Sequence, residues 1–169
     1  MSEPGAPSHI VILGLMGVGK TTTARALSDA LGWPYSDSDT EIEQLTGVPG
    51  RVVAEQLGIP ALHLIEAALL LGALARPKPH VITAAASVVE NKTVTDELVQ
   101  KSFVVRLRAP VETTLARQSD GDHRRPMTKT ELEELMVRRE PLFASVEDLT
   151  LDAGRSTREL VRGIIDAHK

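Results

Sequence analysis

The chain has 169 residues, a formal charge of −4, 42% hydrophobic but only 2% aromatic residues, and no cysteine. One domain of ordinary size with an aliphatic core is expected. The acidic balance and the scarcity of stacking residues (Trp33, Tyr35, Phe103 and Phe143) speak against nucleic acid as a partner, and the lack of cysteine removes disulfides, zinc–thiolate sites and thiol nucleophiles.

Residues 1–8, punctuated by Pro and Gly, read as a disordered lead-in, and 9–169 as a single domain. His9–Leu13 is a short apolar run before a Gly-rich turn, which predicts a buried strand. Residues 20–31 have helical composition and end at Gly32. A second strand is expected over 33–36. Ser38 and Glu41 then form an S-x-x-E capping box, predicting a helix from Ser38 to Gly47. Residues 48–76 read as helical with a break near Gly58–Pro60. Their longest apolar run, Ala67 to Ala75, has nine residues, against about 20 for a membrane-spanning helix. No membrane contact is expected, and a soluble, cytoplasmic monomer is.

Further strands are predicted at 80–83, 102–107 and 149–151, with a helix over 93–100 and another opened by Pro110. Gly121–Pro126 is a polar, basic loop. Thr128 and Glu131 form a second capping box, starting a helix through about Arg139, and Ser156 and Glu159 a third, starting the last helix. Strands alternating with helices through short connections predict an α/β fold, a parallel sheet with helices on both faces.

Gly14-Leu-Met-Gly-Val-Gly-Lys20-Thr21 matches G-x-x-x-x-G-K-[ST] between an expected strand and an expected helix, the context a phosphate-binding P-loop (Walker A) requires. With Gly at about 7% of residues, a chance match in such a chain has a probability of roughly 1 in 200. Glycines let backbone N–H groups turn inward around phosphates, and the helix N-terminus adds its positive end. Gly14, Gly17, Val18, Gly19, Lys20, Thr21 and Thr22 are therefore candidate nucleotide-binding residues. Lys20 is placed to reach the β- and γ-phosphates of ATP, and the Thr21 hydroxyl to ligate Mg²⁺.

The motif alone does not separate a GTPase, an ATPase and a kinase. Asn91-Lys-Thr-Val94 lacks the aspartate of the guanine-reading N-K-x-D. A conventional ATPase would place an acid at the end of a later strand, where this chain has Ala84-Ala85-Ala86. The acidic pair stands instead at Asp37 and Asp39, after the second strand. Carboxyl ends of parallel strands line the binding crevice of such sheets. One carboxylate can hold Mg²⁺ and the other accept a proton from a substrate hydroxyl; equally, both can simply cap the next helix.

The segment Ser36-Asp-Ser-Asp-Thr-Glu-Ile-Glu-Gln-Leu-Thr-Gly47, together with the P-loop, resembles shikimate kinase, a small P-loop kinase that phosphorylates a carbocyclic hydroxy acid with MgATP. The likeness runs from about residue 8 to 167. It implies a three-layer α/β/α sandwich with a five-stranded parallel sheet, a mobile lid at about 118–128 and an acceptor-binding helical region at about 40–76. It also implies that Asp37 supports Mg²⁺ and that Asp39 contacts the reacting hydroxyl. Arg117 and Arg155 stand where the family contacts adenine. Arg125, in His123-Arg-Arg-Pro126, resembles the lid arginine that closes over the phosphates, and Arg139 the arginine that grips the acceptor carboxylate.

Two departures fall together. The family's F-R-x-x-E segment is Leu62-His-Leu-Ile-Glu66, so His63 replaces half of the carboxylate clamp while Glu66 is kept. Its G-G-G turn is Ala84-Ala85-Ala86. A guanidinium is an always-charged planar fork, whereas imidazole offers one or two donors, and three methyls forbid any positive φ that glycine allowed. The resulting expectation is an ATP-dependent phosphotransferase acting on a hydroxyl of a small metabolite, through Lys20, Asp39 and Arg125, with an altered acceptor pocket. Genuine shikimate kinase activity is one alternative, a nucleotide-binding regulator without phosphotransfer another; a gluconate-type kinase shares the same core.

Overall fold

The computed structural model describes residues 8–118 and 126–169. Arg125 and most of the expected lid lie outside the described residues. Five strands, β1 (His9–Leu13), β2 (Tyr35–Asp37), β3 (Val81–Thr83), β4 (Ser102–Arg108) and β5 (Leu149–Asp152), form one parallel sheet in the order β2-β3-β1-β4-β5. Around it run α1 (Lys20–Leu31), α2 (Ser38–Thr46), α3 (Gly50–Leu57), α4 (Ile59–Leu74), α5 (Lys92–Lys101), α6 (Val111–Gln118), α7 (Lys129–Ala144) and α8 (Thr157–His168).

The central strand shows why two helical layers are needed. β1 is apolar at every position after His9 and buried throughout, the pattern of a strand covered on both faces. Val11 and Leu13 pack into a cluster with Ala67 and Leu70 of α4, Val94 and Leu98 of α5 and Phe143 of α7. Ile10 and Ile12, pointing the other way as strand alternation requires, meet Ala24 and Leu27 of α1 and Leu160 and Ile164 of α8. A third, smaller cluster of Ile42, Val53 and Leu62 ties α2, α3 and α4 to one another beside β2. No described helix is long and apolar enough to cross a membrane.

Beside shifts of one or two residues at other ends, such as β2 at Tyr35–Asp37 against the expected 33–36, two helix boundaries differ from the sequence reading, each for a physical reason. The N-cap of α2 is Asp37, not Ser38: the Asp37 carboxylate accepts the Asp39 N–H, and Ser38 is already helical and buried. A carboxylate one residue earlier, at the end of a strand, displaces the serine box. α7 continues past Arg139 to Ala144 with Pro141 inside it. The carbonyl that Pro141 leaves without an N–H belongs to Val137, which is 77% exposed and so faces water. The boxes at Thr128 and Ser156 form as expected.

Because all five strands are parallel, their C-terminal ends share one edge. The loop after β1, Asp37 at the end of β2, Ala84 after β3 and the turn after β5 are thereby gathered along it, where ligands bind in open sheets of this kind.

Candidate active site

The loop between β1 and α1 is shaped by its glycines. A Cβ on Gly14 would lie 2.7 Å from the Leu107 carbonyl oxygen of β4 and 2.8 Å from Val18 Cγ1, so only glycine lets the loop pass there. Gly19, at φ 100°, is the N-cap of α1 and supplies no side-chain cap, leaving the first N–H groups of that helix to a ligand. The Val18 side chain is buried in the core, and its N–H donates to the Leu15 carbonyl at 3.3 Å. Lys20 folds back over the loop, donating to the Gly14 carbonyl at 2.7 Å and the Leu15 carbonyl at 3.2 Å. Thr21 and Thr22 are exposed beside it.

α6 lays Arg117 across the same loop: its Nη1 donates to the Gly17 carbonyl at 3.2 Å. Arg155 sits in the turn leaving β5, exposed, on the same edge of the sheet but on the outer strand. Gln118, buried at the end of α6, accepts the Met127 N–H at 2.8 Å and donates to the Met127 carbonyl at 3.1 Å, which fixes the chain ends on either side of residues 119–125.

The two aspartates are not equivalent. Asp37 Oδ1 accepts the Asp39 N–H at 3.1 Å and the Thr83 hydroxyl at 3.3 Å, and Oδ2 accepts the Thr40 hydroxyl at 3.2 Å. With two acceptor sites per oxygen, one remains, on Oδ2. The Asp39 carboxylate, in the first turn of α2, makes no hydrogen bond or ion pair among the described residues. Asp37 both caps the helix and keeps a lone pair for a cation or its water, while Asp39 is open to an incoming group. Thr83 is further hydrogen-bonded to the Tyr35 hydroxyl at 3.0 Å. Burial raises the Tyr35 phenol above its usual range, against the opposing effect of the Thr83 hydrogen bond, so it stays a neutral donor.

This donor set fits MgATP: an uncapped helix N-terminus and turned glycines for phosphates, and a hydroxyl and a carboxylate with one acceptor position left, the hard oxygen ligands magnesium takes. Among the described residues no cluster of three or more His, Asp or Glu side chains is placed to hold a metal, here or elsewhere.

On the acceptor side, Glu66 is buried on α4 and accepts the Ser87 hydroxyl. His63, one turn earlier on the same face, is partly buried. Ala84, Ala85 and Ala86 are buried; Ala85 has φ −64°, and no described non-glycine residue has positive φ. The expected conflict between methyl groups and backbone does not arise, because the turn here uses angles alanine adopts freely. Arg139, buried on α7, pairs through Nη2 with Glu90 Oε2 at 3.0 Å, and Arg138 Nε holds the other oxygen at 3.0 Å. Burial works to raise the Glu90 carboxyl, but the charges and hydrogen bonds of Arg139 and Arg138 outweigh it and hold it below the ordinary carboxylate range.

Tyr35, Thr83 and Glu90 were not singled out by the sequence reading. The signal for Thr83 is register, since β2 and β3 set it opposite Asp37. Glu90 ends a turn of 3-10 helix, Ala86–Glu90, and meets Arg139 only through the tertiary fold.

The shikimate kinase sequence model matches residues 16–169. The chain is 34% identical to shikimate kinase of Methylococcus capsulatus, covering 95% of this chain and 92% of that one. It is 36% identical to shikimate kinase of Thioalkalivibrio sulfidiphilus, covering 93% and 85%. Among solved structures, shikimate kinase from Acinetobacter baumannii in complex with shikimate superposes with a TM-score of 0.86 at 29% identity, covering 94% of this chain and 91% of that one. A gluconokinase from Sinorhizobium meliloti, with a TM-score of 0.57 at 18% identity, shares the fold alone. A P-loop site on this sheet, matched over nearly its full length, places the chain in the shikimate kinase family, as an ATP-dependent small-molecule kinase that phosphorylates a hydroxyl group.

Proposed function

We propose that the chain transfers the γ-phosphoryl group of ATP to a hydroxyl of shikimate itself. The observation that carries this is the full-length likeness to the Acinetobacter enzyme, which was solved with shikimate bound. The likeness covers 94% of the chain and not the P-loop alone. It favours shikimate over the rebuilt acceptor expected from the sequence, and the family assignment displaces the reading of a regulator without phosphotransfer.

In this reading the loop amides and the α1 N-terminus hold the phosphates, Arg117 and Arg155 flank the adenine, and Lys20 leaves the loop carbonyls for the β- and γ-phosphates. Thr21 and the remaining lone pair of Asp37 hold Mg²⁺, directly or through water; when bound, the ion neutralises charge on the phosphate oxygens. Asp39 orients the acceptor hydroxyl and takes its proton. Arg125, within the 118–128 lid, adds positive charge to the transferring group, whose loose transition state is served mainly by positioning and electrostatics. Residues 40–76 and Arg139 frame the acceptor, with His63, Glu66 and Ala84–Ala86 lining it.

The test is ADP release with MgATP and millimolar shikimate, run beside Lys20→Ala. Turnover of at least about 1 s⁻¹, lost in the variant, is expected. Absence of turnover in a protein that still binds ADP would overturn the choice of acceptor. One observation favours a less acidic acceptor as a second reading: Arg139 already faces the Glu90 carboxylate, and His63 stands in place of a second arginine. If shikimate fails, the same assay with neutral cyclitols decides that reading.

A further inference from the structure

One carboxylate stands between the two arginines of α7. Glu90 closes the 3-10 turn Ala86–Glu90, which begins with the last residue of the alanine turn. Its Oε2 accepts from Arg139 Nη2 at 3.0 Å and its Oε1 from Arg138 Nε at 3.0 Å. The Arg139 side chain is 7% exposed and that of Arg138 62%, so water screens the outer guanidinium far more than the inner one. Against the effect of burial, the two arginines hold the Glu90 carboxyl below the ordinary range, and it is ionised at neutral pH. These three groups together carry one net positive charge.

A guanidinium grips a carboxylate through charge as well as through its donors. An acceptor carboxylate on Arg139 would share that guanidinium with Glu90, and the two acids, roughly 6 Å apart, would repel each other. We infer that Glu90 is a specificity-determining residue for the charge of the acceptor: by cancelling one of two positive charges it matches the group of Arg138, Glu90 and Arg139 to a single carboxylate. The inference rests on the proposed role of Arg139 at the acceptor. With Glu90 neutral, two positive charges would face the acceptor and favour an acid more strongly. With Arg138 neutral, the remaining pair would carry no net charge and the preference for an acid would fall. Opposite shifts from two neighbouring residues are the mark of a charge balance, because lost packing would weaken binding in both.

The test measures, by calorimetry, the binding of shikimate and of its methyl ester to the enzyme–MgADP complex. The two ligands share the ring and its hydroxyls and differ by one negative charge. Glu90→Gln keeps an oxygen for Arg139 Nη2 and removes the charge, while the exposed Arg138 can turn to water. It is expected to tighten shikimate binding by roughly three- to tenfold, the worth of like charges at that distance near a protein surface, with ester and MgADP affinities unchanged. Arg138→Gln is expected to weaken shikimate binding by roughly twofold, as befits a screened charge, again without moving the ester. An unchanged ratio of shikimate to ester affinity in Glu90→Gln, or shifts of the same sign in the two variants, overturns the proposal and leaves Glu90 as a fastening for α7. Arg139→Gln separates the two levels. If it leaves shikimate affinity unchanged, the acceptor role of Arg139 fails and the inference with it. If it weakens shikimate binding while Glu90→Gln changes nothing, only the role of Glu90 is lost. A parent chain that binds neither ligand overturns the shikimate reading and this inference together.

Discussion

Asp37 and Asp39 are two residues apart and chemically identical, yet the fold separates their roles. Asp37 is committed on both oxygens, to the α2 N-terminus, to Thr83 and to Thr40. Asp39 has no such commitments among the described residues and stands at the crevice edge. Removing its charge should therefore leave the helix cap and the phosphate loop untouched. Asp39→Asn is expected to lower kcat by at least about 100-fold, the usual worth of a positioned base, with MgADP affinity within a few-fold of the parent by calorimetric titration. A large loss of MgADP binding would instead make Asp39 a metal or folding residue. The reciprocal substitution, Asp37→Asn, should weaken metal-dependent ADP binding and cost stability as well, since a good helix cap contributes about 1 kcal/mol.

α7 carries Arg138 and Arg139, and what fastens it to the sheet is a buried arginine. Arg106 on β4 is 4% exposed, pairs with Glu140 through 2.6 and 3.0 Å contacts and with Glu147 at 3.4 Å, and lies 4.3 Å above the Phe143 ring. Glu140 is partly exposed and also reaches Arg108 at 3.6 Å, so it can return to water if Arg106 is lost; the space above Phe143 cannot be refilled as easily. Arg106→Ala should cost about 3 kcal/mol or more in urea unfolding, and Arg106→Met, which keeps an aliphatic stem on the ring, about half that. Equal losses in the two variants would show that charge, and not packing, holds the helix. Nothing local announces such contacts. The phosphate loop, the five strands and the capping boxes at Thr128 and Ser156 were legible because each is written in a few adjacent residues. The serine box at Ser38 misled because strand β2 runs one residue further and delivers Asp37 to the cap. Arg139–Glu90, Arg106–Glu140 and Tyr35–Thr83 are closed by strand register and helix packing between distant segments, so spacing alone could not reveal them. The alanine turn shows the converse: the residue change was visible, but its consequence depended on backbone angles that only the fold supplies.

Acid should unfold the protein in two separate windows, because its perturbed groups fall into two classes. His9 opens β1, is 5% exposed, and accepts the His80 N–H on Nδ1 at 3.1 Å. Burial, then the charge of His80, push its pKa below the ordinary 6.5, against hydrogen bonds to the Leu74 and Arg76 backbone that work to raise it. Protonating Nδ1 would also break the bond from His80. The unfolded chain therefore takes up this proton first, so the His9 contribution is complete above pH 6.5 and is lost as pH falls below it. Glu140, through its hydrogen bonds to Arg106, and Glu90, through Arg139 and Arg138 against burial, lie below the ordinary 4.5. Their contribution is complete above pH 4.5 and is lost as pH falls through the lower folded values. The urea midpoint should then be level just above pH 6.5, decline gently below it, and decline again below 4.5. His9→Asn, whose side-chain oxygen can still accept the His80 N–H but does not titrate, should flatten the upper decline and leave the lower one. Glu90→Gln and Glu140→Gln should do the opposite. An upper decline that survives in His9→Asn would place its origin in another histidine and detach it from the buried start of the central strand.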